Sequence, residues 1–239
     1  MCGRYTLTNP AKVFELCSWV ASWPQETEAR YNIAPGQRVM MVAGPEPYAG
    51  IEGRWGLTGK FSGRAKTPGL LINARRETVL LKPMFQRWFR TQRCLIPADG
   101  FYEWPADKRV GRGSAGGGPF YFVRQDGRPF AFAGFFASAI GSDGQAERQC
   151  VILTKAAAGP VATIHPRMPV IVSPTSMQAY LQCAPEDAVL DRLSIDANED
   201  LRMYRVGTGV NRSGWDDPGC ILPVAEPSAR EADTKDTLF

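Results

Sequence analysis

The chain has 239 residues, 44% of them apolar and 22% charged, which suits a globular protein with a sizeable core. No apolar run reaches membrane-span length and no basic start precedes an apolar block at the N-terminus, so neither a transmembrane helix nor a signal peptide is expected, and the chain reads as cytoplasmic with reduced cysteines. The net charge of +4 is uneven: residues 53–93 hold ten bases against one acid, Glu77, a local excess that points to a polyanionic partner.

The chain opens "MCGRYTLTNP", with a cysteine at its second position. "TNPAKVFELCSWV" predicts a helix, capped by Asn9, with Pro10 in its first turn and Val13, Leu16, Cys17 and Val20 at helical spacing. "RYNIAPGQRVMMVAG" reads as a Pro-Gly turn followed by a short strand. In "TVLLKPMFQRWFR", Pro83 is expected to break or restart a helix. "RCLIPADGFYEWPA" gives two strand pieces around an Asp-Gly turn, and "FYFVRQDGRPFAFAGFFAS" gives strands around a second one, a hairpin signal. Between them, "GRGSAGGGP" lacks the Lys-Ser/Thr pair of a phosphate loop and reads as a linker between strands, within a glycine-rich loop over 106–118. "CVILTKAAA" and "MPVIVS" are strands on either side of a stretch containing His165. "SPTSMQAYLQ" and "PEDAVLDRL" are helices, "MYRVGTGVN" and "CILPVA" closing strands, and residues 226–239 a polar tail with the composition of disorder. No internal repeat is present, and strands outnumber helices without alternating regularly. This predicts one α+β domain over residues 1–225, built on antiparallel sheet.

The six cysteines are scattered with no CxxC pair, and His165 is the only histidine, so no zinc site is expected. Five of the six read as small buried apolar residues. Cys2 is different in kind. If Met1 is removed, one residue carries both a free α-amine and a thiol. An α-amine titrates near roughly pH 8, so a useful fraction is neutral at pH 7. That amine forms a Schiff base with an aldehyde, and the thiol then closes a five-membered thiazolidine at high effective concentration. Taken alone, Cys2 reads rather as a small residue that merely permits methionine removal. Glu103 lies between Tyr102 and Trp104, so a strand turns it to the opposite face; in a cleft, partial burial would suit it to moving protons, and otherwise it is a solvated strand residue. His165 and Arg167 share a face in extended chain. "LINARRET" gathers Asn73, Arg75, Arg76 and Glu77, either a phosphate-binding group or a surface ion-pair cluster. Trp55, Phe61, Phe85, Trp88 and Phe89 interleave with the bases of 53–93, a pattern that suits single-stranded nucleic acid, although at least half of these rings are expected in the core.

Together, "MCGRY", "YNIAPGQ", "RWGL", "INARRET", "CLIPADGFYEW" and "IHPRMPVIV", in this order, resemble the SOS-response-associated peptidase (SRAP) family of abasic-site processing proteins, with "VNRSGWDD" extending the match more loosely. The resemblance implies an antiparallel β-barrel-like core with peripheral helices and a positively charged groove leading to the N-terminus. It implies self-removal of Met1, binding of single-stranded DNA carrying an abasic site, and a thiazolidine crosslink from Cys2 to the sugar aldehyde, with weak lyase activity beside it. Carried over by motif, Cys2 resembles the crosslinking nucleophile, Glu103 the acid/base residue, His165 the residue assisting ring-opening and reversal, and Asn73 the group orienting the N-terminus. Arg4, Arg75 and Arg167 resemble phosphate contacts, with Trp55, Phe61, Phe85 and Trp88 as candidate base contacts. Many members carry an aromatic wedge after "WGL"; here the nearest aromatic is Phe61. Neither a metal nor an organic cofactor is implied, and a monomer is expected. Two alternatives remain open: a glutamine amidotransferase-like hydrolase, which also begins Met-Cys-Gly and uses its cysteine amine as base, and a non-covalent single-strand-binding module with an inert Cys2.

Overall fold

Short runs of β-branched, aromatic and small residues, cut by Gly, Pro and Asp, set the strand-dominated architecture of the computed structural model, which describes residues 2–24, 27–58, 69–106, 118–140, 146–189, 193–195 and 200–224. The strands are β1 (Tyr5–Leu7), β2 (Arg30–Ile33), β3 (Arg38–Ala43), β4 (Ala49–Trp55), β5 (Asn73–Arg75), β6 (Arg93–Ala98), β7 (Gly100–Glu103), β8 (Phe120–Arg124), β9 (Phe130–Ile140), β10 (Ala146–Ala156), β11 (Arg167–Pro169), β12 (Ile171–Val172) and β13 (Leu201–Arg205). Strands β10, β4, β3, β6 and β9 pair in that order, and β9 pairs back onto β10, which closes a barrel. A second sheet runs β13-β8-β7-β1-β2. The sheets are mostly antiparallel, as expected, but β10 pairs in parallel with both β4 and β5. One buried cluster joins the barrel to the inner face of the second sheet, through Tyr5, Trp55, Phe101, Phe122, Phe132 and Phe135 among others. A smaller cluster of Tyr102, Tyr121, Val206, Val210 and Cys220 lies on the outer face.

The helices are peripheral and short. Asn9 caps α1 (Pro10–Leu16) by accepting a bond from Lys12 N at 3.2 Å. Pro83 opens α2 (Pro83–Thr91) at its first turn, so it restarts the helix rather than breaking it. Phe85 and Phe89 of α2 pack on Phe135 of the barrel. The other α-helices among the described residues are α3 (Gly159–Ala162), α4 (Met177–Gln182) and α5 (Pro185–Ala188). No described helix is long and apolar enough to cross a membrane.

Two local expectations are overturned. The first Asp-Gly step joins two strand pieces as expected, with β6 and β7 in different sheets, but the second is not a hairpin turn, because β8 and β9 also belong to different sheets. At the first step the Asp99 carboxylate is taken by β1, accepting bonds from Thr6 Oγ1 (2.6 Å), Thr8 Oγ1 (2.7 Å) and Asn9 N (3.1 Å). Gly100 is required there, because a Cβ would lie 2.2 Å from Tyr121 Oη. At the second, Asp126 turns back on Arg124 and on Arg128. The chain instead uses these steps to pass between sheets, and β7 pairs antiparallel with β8 across the glycine-rich loop, most of which lies outside the described residues. Finally, "CILPVA" is not a strand. Pro218–Ile221 is a 3₁₀ turn, followed by a single bridge between Val206 and Pro223. Phe61 and the tail at 226–239 also lie outside the described residues.

Asp99→Ala removes one carboxylate from four hydroxyl and amide donors, Thr6 Oγ1, Thr8 Oγ1, Thr8 N and Asn9 N, that tie β1 and the residues after it to the sheet crossover. The expected cost is roughly 2–4 kcal/mol in urea unfolding with an unchanged denaturant slope. A loss within experimental error would show that Asp99 does not anchor the N-terminal strand.

Candidate active site

The β1–β7 register positions the N-terminus. Tyr5 faces Phe101, and Tyr102 N donates to Arg4 O at 2.9 Å, which carries the chain ahead of β1 towards Glu103 at the end of β7. Tyr102 and Trp104 pack in the outer cluster, while Glu103 is buried on the other face with 2% exposure. The alternation expected from the sequence holds. The half of β10 that follows Val151 supplies the rest. Asn73 on β5 pairs with Ile152, and Arg167 on β11 pairs with Ala156. His165, just ahead of β11, is fixed by His165 N donating to Val161 O (2.9 Å), and Ala106 N donates to Ile164 O (3.0 Å), tying the segment after Glu103 to the histidine segment.

These elements bring Cys2, Asn73, Glu103 and His165 together. Cys2 is fully buried. Asn73 Nδ2 donates to Cys2 O at 2.9 Å, while Asn73 Oδ1 is buried and without a hydrogen-bond partner among the described residues. His165 Nδ1 lies 3.4 Å from Glu103 Oε1, and within 3.0 Å and 2.9 Å of Arg167 N and O. Burial pushes the Cys2 thiol well above its ordinary value, and the nearby Glu103 carboxylate adds to this. Burial also raises Glu103, with His165 pulling the other way. The site therefore holds a protonated thiol and a carboxyl group that keeps its proton to higher pH than an exposed glutamate would.

The arginines behave differently from one another. Arg4 is half-buried: Nη1 donates to Asn32 Oδ1 (2.9 Å) and Val210 O (3.0 Å), and burial lowers its pKa. Arg75 is exposed at the end of β5. Arg167 is tied to Glu77, with Nη1 to Oε1 at 2.7 Å and Nη2 to Oε2 at 2.9 Å, and Nη2 also donates to Thr154 O at 2.7 Å. Two of the proposed aromatic contacts must be corrected. Trp55 is fully buried, donates Nε1–H to Ile72 O at 3.0 Å and packs edge-on to Tyr5, and Phe85 is a core residue under α2. Each ring completes an apolar cluster, so neither has a free face for a base. Trp88 is partly exposed, with the Arg87 guanidinium carbon 5.0 Å from its ring centroid.

Sequence reasoning missed Asn32. It is fully buried, and its Nδ2 donates to Arg212 O (2.9 Å) and Trp215 O (2.6 Å) while its Oδ1 holds Arg4. The one signal for it was an asparagine, a poor strand former, inside the strand sequence "RYNI".

A closed β-barrel flanked by a second sheet, with a buried second-position cysteine beside a carboxylate–imidazole pair, defines an α+β barrel protein built around its own N-terminus. The chain matches the SOS response associated peptidase (SRAP) family over residues 1–213 and belongs to that family. It is 32% identical over 218 residues to the abasic site processing protein YoaM of Bacillus subtilis, covering 88% of this chain and 93% of that one. To the abasic site processing protein YedK of Escherichia coli it is 30% identical, over 76% of this chain and 80% of that one. Its fold is that of a crystallised protein from Bacteroides thetaiotaomicron, with a TM-score of 0.75 at 18% identity over 94% of this chain and all of that one.

The Arg167 bonds hold Glu77 down at about 2, from an ordinary 4.5. A depressed carboxylate stabilises the fold above its unfolded pKa and loses that contribution as pH falls through the folded one. The melting-temperature gap between wild type and Glu77→Gln is therefore expected to be constant above about pH 5 and to close towards pH 2, and to be small because the pair is partly exposed. A gap independent of pH over that window contradicts the assignment.

Proposed function

We propose that this protein processes abasic sites in single-stranded DNA by forming a covalent thiazolidine crosslink through Cys2, after self-removal of Met1. The observation that carries the proposal is the buried cluster itself: Cys2, held at its carbonyl by Asn73, beside Glu103 and His165. The names of the relatives agree with it.

The abasic sugar opens to its C1′ aldehyde, with His165 passing the proton between the ring oxygen and the C1′ hydroxyl. The neutral Cys2 amine adds to C1′, and Glu103 gives a proton to the hydroxyl that leaves as water and takes one back from the iminium nitrogen. The resulting imine is attacked at C1′ by the Cys2 sulfur, and the thiol proton passes to the imine nitrogen as the ring closes. Burial of the thiol supports this order: a thiol that resists ionisation leaves the first attack to the amine. Asn73 Oδ1 is an available acceptor for an N–H of that amine. The same imine permits β-elimination at C2′, hence weak lyase activity. Arg4, Arg75 and Arg167 serve the phosphates, and Trp88, partly exposed beside Arg87, serves as a base contact. Phe61 keeps its candidacy as a further base contact. Every reacting group lies on this one chain, so the route calls for neither metal nor organic cofactor. Residues 1–225 act as one domain, as a monomer in the cytosol.

Wild-type protein with its N-terminus processed should form a denaturant-resistant band with a single strand carrying one abasic site. Cys2→Ala, or any residue retained ahead of Cys2, should abolish it. Absence of the band with processed wild type contradicts the proposal, and release of ammonia from glutamine in its place would mark an amidohydrolase.

Crosslinking rate should be bell-shaped in pH, rising as the amine loses its proton and falling as Glu103 loses its own. Glu103→Gln should lose the falling limb and slow the reaction by roughly 10²–10⁴. An unchanged profile in that variant would remove Glu103 from proton transfer.

A further inference from the structure

The basic stretch 53–93 contains a single acid, and the fold sets that acid on the guanidinium of Arg167. Glu77 sits in the 3₁₀ turn Arg76–Thr78 directly after β5, the strand that carries Asn73 and Arg75. Its two oxygens meet Nη1 and Nη2 at 2.7 Å and 2.9 Å, the parallel fork-on-fork geometry in which a guanidinium also grips a phosphate. The Arg167 side chain is 18% exposed and that of Glu77 is 42% exposed, so the carboxylate occupies the solvent side of the guanidinium. On the protein side, Nη2 is anchored by Thr154 O at 2.7 Å, with Thr154 Oγ1 at 3.3 Å. The guanidinium is therefore fixed from within and capped from without by an anion.

We propose that Glu77 is a built-in stand-in for a DNA phosphate, which holds the Arg167 fork in the free protein and gives it up to a backbone phosphate when a strand enters. This rests on the single-stranded DNA reading above and adds a regulation of that same site. An ion pair this open to solvent contributes little to stability, so exchanging one anion for another is inexpensive. Two effects oppose each other. Glu77 keeps Arg167 in the geometry a phosphate needs, which lowers the ordering cost of binding. It also competes for the fork and repels the strand beside Arg75, which weakens binding of undamaged DNA. A displaced Glu77 recruits a cation and so cancels part of the counterion release that drives association. The net result is a protein that samples undamaged strands loosely, leaving the covalent step at Cys2 to determine retention. If the pair were only a strut between β5 and β11, its removal would weaken binding by loosening Arg167.

The test is a fluorescence-anisotropy titration of an undamaged labelled single strand at several salt concentrations, with wild type and Glu77→Gln. The variant is expected to bind roughly threefold to tenfold more tightly, with a log–log salt slope steeper by about 0.7. Unchanged or weaker binding by the variant overturns the inference. A second measurement on wild type alone removes any dependence on how the variant folds. In protein carrying ¹⁵N-arginine, the Arg167 guanidinium signals are expected to shift as undamaged strand is added. Signals that stay in place while DNA binds and abasic DNA crosslinks overturn the exchange alone. Failure of wild type to bind or crosslink single-stranded DNA overturns the functional reading, and this inference with it.

Discussion

The register of β1 against β7 is the constraint on which the site depends. Tyr5 opposite Phe101 sets the residues ahead of β1 beside Glu103, and the side-chain period of a strand leaves no tolerance: a slip of one residue would turn Tyr5 to the other face and carry Cys2 out of register with Glu103. The register is held at several points. Tyr5 packs edge-on to Trp55 and Phe132, with ring centroids 5.3 Å and 5.5 Å away, which locks the strand to the barrel. Asp99 gathers Thr6, Thr8 and Asn9 at one end, and Asn73 holds the Cys2 carbonyl at the other. An N-terminus is ordinarily the least ordered part of a domain. Here the chain from Cys2 onward is built into the core, which gives Cys2 a fixed position relative to a carboxylate and an imidazole.

The charge pattern has two meanings that the structure separates. Several bases of the 53–93 stretch are already taken up by partners within the fold. Arg54 pairs with Glu147 at 2.8 Å, Arg90 with Glu186 at 2.9 Å, and Arg93 donates to the carbonyls of Tyr180, Leu181 and Cys183 at the end of α4. Arg75, Lys82 and Arg87 face solvent. Among the described residues, fewer of these bases face solvent than the raw excess of ten over one implies, and Arg75 ends the strand that carries Asn73.

The residues that the fold gathers around Cys2 were legible because chemistry restricts residue type. A second-position cysteine, a single histidine and a glutamate alternating with aromatics were candidates before the fold was known, although each alone also read as an ordinary residue. The order of motifs tied them together. The aromatic contacts were not legible, because a ring in a core and a ring under a base have the same local sequence; Trp55 and Phe85 went to the core once Tyr5 and Phe135 were their neighbours. The hairpin expected at the second Asp-Gly step failed for a related reason. An Asp-Gly step reports that the chain turns, but not which strand it turns towards, and both steps here carry it from one sheet to the other. Asn32 was hidden because its bonds reach from residue 32 to residues 4, 210, 212 and 215, a set of partners that only the folded chain assembles.

The central claim is that both nucleophiles of Cys2 end on one carbon of the lesion. Mass spectrometry of the N-terminal peptide, released from the adduct after treatment with a thiol-alkylating reagent, tests it directly. The account predicts a peptide joined to the abasic sugar with the loss of one water and a Cys2 sulfur closed to alkylation. A Cys2 sulfur that is alkylated while the adduct persists, or an adduct mapped to any other residue, would contradict it.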